Sequence, residues 1–169
     1  MLPKRNSRIL ALEADAMIRN SLALYCRAMD RMDDELALSL FDAGATVSYV
    51  PGMFTGPAVD FVPWVREVHE SVDGTVHRMA TPYVRVDVRR GAAISEAAGH
   101  VMLFVEGAPA RHAFGRYIDR WRLTDVGWRI ATRDYRRDAQ FMGGAVTATS
   151  DRRRDDISYE VFARFDSSS

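Results

Sequence analysis

Apolar side chains recur along residues 7–29 at the spacing of one face of a helix. The positions that share this spacing are Leu10, Ala14, Met17, Ile18, Leu22, Tyr25 and Met29. A repeat at i, i+3, i+4 and i+7 predicts an amphipathic helix, and it places Tyr25 on the buried stripe. Asp33 is the expected N-cap of a second helix, because helical periodicity resumes directly after it. Asp30 is therefore expected in the short join between the two helices.

The next segments predict one strand and one helix. A β-type run at residues 46–50 stops at Pro51, where a turn is favoured. A third helical pattern comes shortly afterwards, with Trp64 on its apolar face. Because a proline inside a helix removes a backbone hydrogen bond, Pro63 predicts that this helix begins near residue 63.

Beyond residue 74 the chain takes on the character of extended strands. These strands are expected at residues 76–88, 92–106, 110–124 and 127–138, with turn sequences between them. Long antiparallel strands after an initial set of helices predict an α+β fold, with helices on one face of a curved sheet.

The end of the chain differs from the rest. Residues 1–142 are expected to form one domain, and residues 143–150 to form a loose connector. Residues 157–165 regain helical spacing, which predicts a short amphipathic helix. Such a helix is marginal alone, so we expect it to dock on its own domain or on a neighbouring subunit.

Composition narrows the class of protein. The chain has 169 residues, with 23 Lys and Arg against 23 Asp and Glu, so no global field would attract nucleic acid or an anionic membrane. Cys26 is the single cysteine, which excludes an internal disulfide framework and favours a packing role. Neither a long apolar run nor a signal-like leader is evident. We expect a cytoplasmic protein that binds or converts a small molecule.

Four residues carry candidate chemistry: Tyr25, Asp30, His77 and Arg133. A carboxylate that orients a histidine can create a general base, and a phenol and a guanidinium nearby can stabilise the resulting negative charge. Position alone leaves alternatives open, namely a half-exposed histidine, an exposed aspartate, a tyrosine packed in the core and an arginine on the solvent face. No cluster of His, Cys and Asp has metal-ligand spacing, so no metal is expected.

Several short motifs occur in a recognisable order. They are Tyr25-x4-Asp30-x2-Asp33, the turn at residues 52–56, Thr75-Val76-His77, the stretch 117–121 and the stretch 127–133. In this order the sequence resembles the SnoaL-like branch of the NTF2-like superfamily, which includes scytalone dehydratase, bile-acid 7α-dehydratase and hexachlorocyclohexane dehydrochlorinase.

The resemblance implies a cone-shaped α+β barrel, open at one end, with a hydrophobic pocket between sheet and helices. It implies acid–base work by Asp30 and His77, with Arg133 and Tyr25 lining the pocket. It also implies that no metal or organic cofactor is needed and that the protein forms a homotrimer or homodimer.

Further residues are expected to bind the substrate. They are Met29, Tyr49, Met53, Phe54, Met79, His100 and Met102. The methionines and aromatics among them suggest that the substrate is an apolar ring system, such as a polyketide, a steroid or an aromatic compound. For His100 a satisfied core histidine is the alternative.

Three functions are compatible with these expectations. The first is a cofactor-independent lyase of the dehydratase or dehydrohalogenase type, with His77 as general base oriented by Asp30. The second is an isomerase or aldol cyclase that uses the same pocket. The third is a non-catalytic partner protein like the β-subunits of ring-hydroxylating dioxygenases, which share the fold and would not need the Asp–His pair.

Overall fold

Three helices and seven strands make up the part of the chain that the computed structural model describes, residues 4–50 and 52–145. The helices are α1 (Lys4–Arg31), α2 (Asp34–Ser39) and α3 (Ala58–Glu70). The strands are β1 (Phe41–Val50), β2 (Phe54–Pro57), β3 (Gly74–Met79), β4 (Tyr83–Asp87), β5 (Ala92–Phe104), β6 (Pro109–Thr124) and β7 (Gly127–Ala145).

Helix α1 confirms the predicted helix, and Tyr25 is buried on its apolar stripe with 1% exposure. Leu10 and Met17, which the pattern placed on the same stripe, are exposed. Asp30 lies in the last turn of α1, so its placement in the join was wrong by two residues. The helix ends one residue later because Met32 takes a left-handed conformation, with φ of 53°. Asp33 then caps α2 as predicted, accepting a hydrogen bond from the backbone nitrogen of Leu36 at 3.0 Å.

The strands form one sheet in the order β2-β1-β7-β6-β5-β3, with β4 also paired to β5. All pairings are antiparallel except that of β1 with β7. The strand expected at 76–88 is broken at residues 80–82, so β3 and β4 pair with different halves of β5. Pro82 has no N–H for a ladder, and its carbonyl accepts a hydrogen bond from Arg19 Nη1 of α1 at 2.8 Å instead.

An irregularity in β7 decides which side chains face the helices. Trp121 pairs with Ile130 and Arg120 pairs with Thr132, so Ala131 is an extra residue in the ladder. Such a bulge bends the strand and shifts the alternation of side chains by one. Ile130 and Arg133, which strict alternation would place on opposite faces, are therefore both buried on the helix side.

Helix α3 begins at Ala58, so the prediction of a start near residue 63 was wrong. Pro63 lies inside the helix and costs it one backbone hydrogen bond. Phe61 and Val62 are at most 2% exposed, and burial of this apolar face offsets the loss.

The predicted class is confirmed: helices pack against one face of a curved, unclosed sheet in an α+β fold. Strand β7 runs to Ala145 and so includes the first residues of the expected connector. The rest of that connector and the predicted helix at 157–165 lie outside the described residues.

Candidate active site

Asp30 and His77 are in direct contact. His77 Nδ1 lies 2.7 Å from Asp30 Oδ1, and the backbone N–H of His77 donates to both carboxylate oxygens at 2.9 and 3.1 Å. Thr75 Oγ1 adds a longer contact of 3.5 Å. Both side chains are shielded, with 13% exposure for Asp30 and 7% for His77. When Nδ1–H donates to the carboxylate, the lone pair of the neutral imidazole is on Nε2.

The position of Asp30 is unfavourable for a carboxylate by itself. It lies at the C-terminal end of α1, where the helix dipole is negative, and it is largely removed from water. The backbone N–H and Nδ1–H of His77 offset this cost by donating hydrogen bonds to the carboxylate, and these bonds also hold it in one orientation. The arrangement therefore fixes the direction of the His77 ring.

His77 forms part of the wall of a cavity between α3 and the sheet. The cavity has a volume of about 110 Å³ and is open to solvent at its mouth. Its wall is mostly apolar. The lining residues are Tyr25, Met29, Tyr49, Met53, Trp64, Val65, Val68, His69, His77, Val101, Leu103, Ala113, Tyr117 and Tyr135.

Two phenols in this wall are paired with each other. The hydroxyl oxygens of Tyr25 and Tyr49 are 2.8 Å apart, and both side chains are buried. Burial raises the pKa of Tyr25 above its ordinary value, although the nearby Arg133 charge acts in the opposite direction. Burial, reinforced by Tyr25, raises the pKa of Tyr49 further. Since one shared bond uses one of the two hydroxyl protons, the neutral pair keeps a second proton for donation.

Arg133 lies behind this pair and is not among the residues that line the cavity. Its Nε and Nη2 donate to the two carboxylate oxygens of Asp119 at 2.8 and 2.7 Å. Burial opposes its charge, but Asp119 outweighs that effect and raises the Arg133 pKa well above the ordinary value. The guanidinium carbon stands 4.0 Å from the centre of the Tyr25 ring. Arg133 therefore contacts Tyr25 and is separated from the cavity by it.

His100 and Met102 point away from the cavity. Side chains alternate along β5, so Val101 and Leu103 line the wall and the residues beside them face the other side of the sheet. There His100 Nε2 contacts His112 Nδ1 at 2.9 Å. The expectation that these two residues contact the substrate does not agree with this geometry.

Phe54 and Met79 are also absent from the wall among the described residues. Phe54 packs against two aromatic residues of α3, with its ring centre 5.4 Å from those of Phe61 and Trp64. Met79 packs against the core two residues beyond His77 on the same face of β3. By contrast Met29, Tyr49 and Met53 line the cavity.

Sequence reasoning missed most of the wall supplied by α3 and β6. His69 gave a detectable signal, because it is four residues after the buried Val65 and so falls on the same apolar stripe of α3. Tyr117 and Tyr135 are paired across β6 and β7, and their strand alternation could have identified them.

Cys26 is partly buried on α1, and burial raises the pKa of its thiol to about 11. A thiol in this state is a poor nucleophile near neutral pH. Among the described residues no group of three or more His, Cys, Asp or Glu side chains is placed to hold a metal ion. None of the helices in the described ranges has both the length and the apolar character needed to cross a bilayer.

Comparison with solved structures identifies this architecture. A putative scytalone dehydratase from Novosphingobium aromaticivorans superposes with a TM-score of 0.69 at 16% identity, covering 89% of this chain and 97% of that one. The LinA-type3 hexachlorocyclohexane dehydrochlorinase from Novosphingobium barchaimii gives 0.71 at 15% identity, with 85% and 99% covered. An NTF2-like protein from Novosphingobium aromaticivorans gives 0.66 at 22% identity, with 80% and 88% covered.

Identities this low establish the fold and nothing finer. No curated protein matches the chain in sequence. The family model of the SnoaL-like domain, however, matches residues 10–134 of the 169. On that match, the chain belongs to the SnoaL-like family.

Proposed function

We propose that this protein is a cofactor-independent lyase that acts on a small hydrophobic ring compound. The observation that carries the proposal is the 2.7 Å contact between His77 Nδ1 and Asp30 in the wall of an apolar cavity. A histidine whose tautomer is fixed by a carboxylate is a common general base. The solved dehydratase-like and dehydrochlorinase structures with the same fold are consistent with this class of reaction.

In the proposed reaction His77 Nε2 removes a proton from a carbon next to a carbonyl group. The electrons of that C–H bond form an enolate, whose oxygen accepts a hydrogen bond from the Tyr25–Tyr49 pair. The enolate then re-forms the carbonyl and expels a leaving group from the β-carbon. A departing hydroxide takes the proton from His77 Nε2 and leaves as water, whereas a halide leaves as the anion and His77 returns its proton to solvent.

The magnitude of acid–base catalysis limits the choice of substrate. An oriented general base contributes about 10²–10⁴ in rate, so the C–H bond has to be activated by the substrate itself. The neutral phenols add stabilisation at the enolate oxygen because their protons are retained in the buried site. The apolar wall favours a cyclic substrate with few charges.

An isomerase or aldol cyclase would use the same base and the same phenols. The reactions differ only in the fate of the enolate: loss of a leaving group, return of the proton to another carbon, or attack on a second carbonyl. The non-catalytic alternative has less support, since a partner protein would not need the contact between Asp30 and His77.

The test is a panel of decalones and tetralones with a hydroxyl or a chlorine at the β-carbon, together with octalones that carry a β,γ-double bond, incubated in heavy water. Deuterium at the α-carbon reports proton removal, loss of water or chloride reports a lyase, and a shifted double bond without loss of a group reports an isomerase. His77→Ala should abolish every one of these changes, while His112→Ala on the opposite face of the sheet should leave them intact. A His77→Ala protein that exchanges deuterium at a near-normal rate would disprove the proposal.

A further inference from the structure

Tyr117 is a further phenol of the cavity wall, and the proposed reaction gives it no role. It lies on β6, lines the cavity and is 2% exposed. Its ring centre is 6.0 Å from that of Tyr25 and 6.3 Å from that of Tyr49, the two phenols that share a hydrogen bond. The three rings therefore border the same part of the cavity.

The Tyr117 ring occupies space that a glycine on the neighbouring strand leaves free. The cross-strand partner of Tyr117 is Ala97, and Gly99 is the next residue of β5 on the same face. A Cβ atom added at Gly99 would lie 2.5 Å from Cε2 of the ring, so any side chain there would force the ring to move. The ring thus leans along β5 towards Val101, which lines the cavity.

The Tyr117 hydroxyl opens on the cavity. It forms no hydrogen bond within the described residues, and its oxygen is not one of the fully enclosed side-chain atoms there that lack a partner. The oxygen therefore has accessible surface, and the space that it meets is the cavity that the side chain lines. Burial, reinforced by Tyr25 and Tyr135, raises the pKa of Tyr117 well above its ordinary value, so the phenol keeps its proton at neutral pH.

The polar groups of the wall thus have different tasks. In the proposed reaction the Tyr25–Tyr49 pair donates to the carbonyl oxygen of the substrate, which leaves the Tyr117 hydroxyl for another group. We infer that Tyr117 is a specificity-determining residue whose hydroxyl binds a second oxygen of the substrate, so that the cavity selects ring ketones with a further hydroxyl or carbonyl group. This inference deepens the proposed function and rests on it for the reaction, but it concerns binding alone.

The physical reason is the cost of covering a hydroxyl with hydrocarbon. A ligand that fills the cavity separates the Tyr117 hydroxyl from solvent, and a C–H edge gives it no hydrogen bond in return. An oxygen atom at the same place restores the bond, since a neutral phenol can both donate and accept. The net value of one such bond corresponds to a preference of about tenfold in Kd.

The experiment measures Kd by calorimetry for 1-tetralone and for its 5-, 6- and 7-hydroxy derivatives, which place a second oxygen at different distances from the carbonyl group. None has a leaving group at the β-carbon, so the wild-type protein binds them without elimination. We expect at least one hydroxytetralone to bind about tenfold more tightly than 1-tetralone. Tyr117→Phe should reduce this preference to about twofold or less, while the Kd of 1-tetralone changes by no more than about twofold.

The variant separates the hydroxyl from the ring. Tyr117→Phe keeps the ring that packs beside Gly99 and Tyr135, so its thermal midpoint should remain close to that of wild type. Tyr83→Phe is the matched control, because the Tyr83 side chain is 67% exposed and does not line the cavity. It should leave the Kd of all four compounds unchanged.

Four results would overturn the inference: no preference for any hydroxytetralone, a preference that survives in Tyr117→Phe, an equal loss of affinity for all four compounds in that variant, or binding of none of them. The outcome is independent of the proposed reaction. A Tyr117-dependent preference without deuterium exchange by the wild-type protein would refute the reaction and keep the binding role. Exchange together with a preference that ignores Tyr117 would do the reverse.

Discussion

Arg133 and Asp119 form a bidentate ion pair whose side chains have no exposed surface, and the pair lies directly behind the ring of Tyr25. The guanidinium contacts the face of that ring at 4.0 Å, within the range of a cation–π interaction. Its remaining nitrogen, Nη1, has no hydrogen-bond partner among the described residues. The pair thus supports the phenol that faces the cavity.

Removing one member of this pair should destabilise the protein strongly. In Asp119→Leu the Arg133 charge stays buried without its partner, and we expect a loss of about 3–5 kcal/mol in the free energy of unfolding. Adding Arg133→Met should recover most of this loss, because the uncompensated charge is then gone. Urea unfolding of the single and double variants measures both values.

The exposed pair between Arg116 and Asp138 is the matched control for that experiment. Its side chains are 44% and 47% exposed, so Asp138→Leu should change the unfolding midpoint little. An Asp119→Leu protein as stable as wild type would contradict the importance of the buried pair.

Asp30→Asn should leave the fold intact and lower turnover. The amide can still accept from the backbone N–H of His77, but its NH₂ group cannot accept from Nδ1–H, so the tautomer of the imidazole is no longer fixed. We expect a loss of about 10²–10⁴ in kcat, measured with whichever decalone or tetralone the wild type converts.

Asp33→Asn provides the control, since asparagine also caps helices and Asp33 lies only one turn from Asp30. That variant should keep kcat within about twofold and its thermal midpoint unchanged. Equal losses in the two variants would assign the effect to the helix end and remove the special role of Asp30.

Stability should fall at alkaline pH because of the buried phenols. The folded-state pKa of Tyr25 and Tyr49 is raised above the ordinary value of 10.0, so above about pH 10 the unfolded chain releases protons that the folded chain retains. The contribution of the protonated phenols to the free energy of unfolding is thus fully present below pH 10. It is lost as pH rises through the folded-state pKa values of Tyr25 and Tyr49.

Unfolding free energies measured between pH 9 and 11 should therefore decline with pH, and Tyr49→Phe should reduce the slope of that decline. Tyr83→Phe, at a side chain that is 67% exposed, is the comparison variant. A Tyr49→Phe slope equal to that of wild type would show that the phenol pair ionises in the folded state as readily as in the unfolded chain.

The sequence allowed the order of helices and strands to be predicted because hydrophobic periodicity depends on neighbouring residues alone. Asp33 as an N-cap and Tyr25 on a buried stripe are consequences of local spacing, and the structure confirms both. The start of α3 was predicted wrongly because Pro63 disfavours a helix when only neighbouring residues are considered. Burial of the apolar face of α3 stabilises the helix from Ala58 onwards in spite of this proline.

Asp30 and His77 could be brought together before the structure was known only through the resemblance to the SnoaL-like family. They are 47 residues apart, and their contact depends on how the end of α1 packs against β3. His69 shows the converse case: its place on the α3 stripe was visible in the sequence, but its position beside His77 was not.

The sequence by itself determined the secondary-structure pattern, the buried face of α1 and the absence of a disulfide framework. The tertiary structure alone decided that Arg133 lies behind Tyr25 and that His100 faces away from the cavity. The bulge at Ala131 is the physical reason for the position of Arg133, and the pairing of β5 with its neighbours fixes which face His100 takes. A single extra residue in a strand reverses the direction of every side chain that follows it. Whether a strand contains such a residue depends on its pairing with strands that are distant in sequence, so the local sequence does not reveal it.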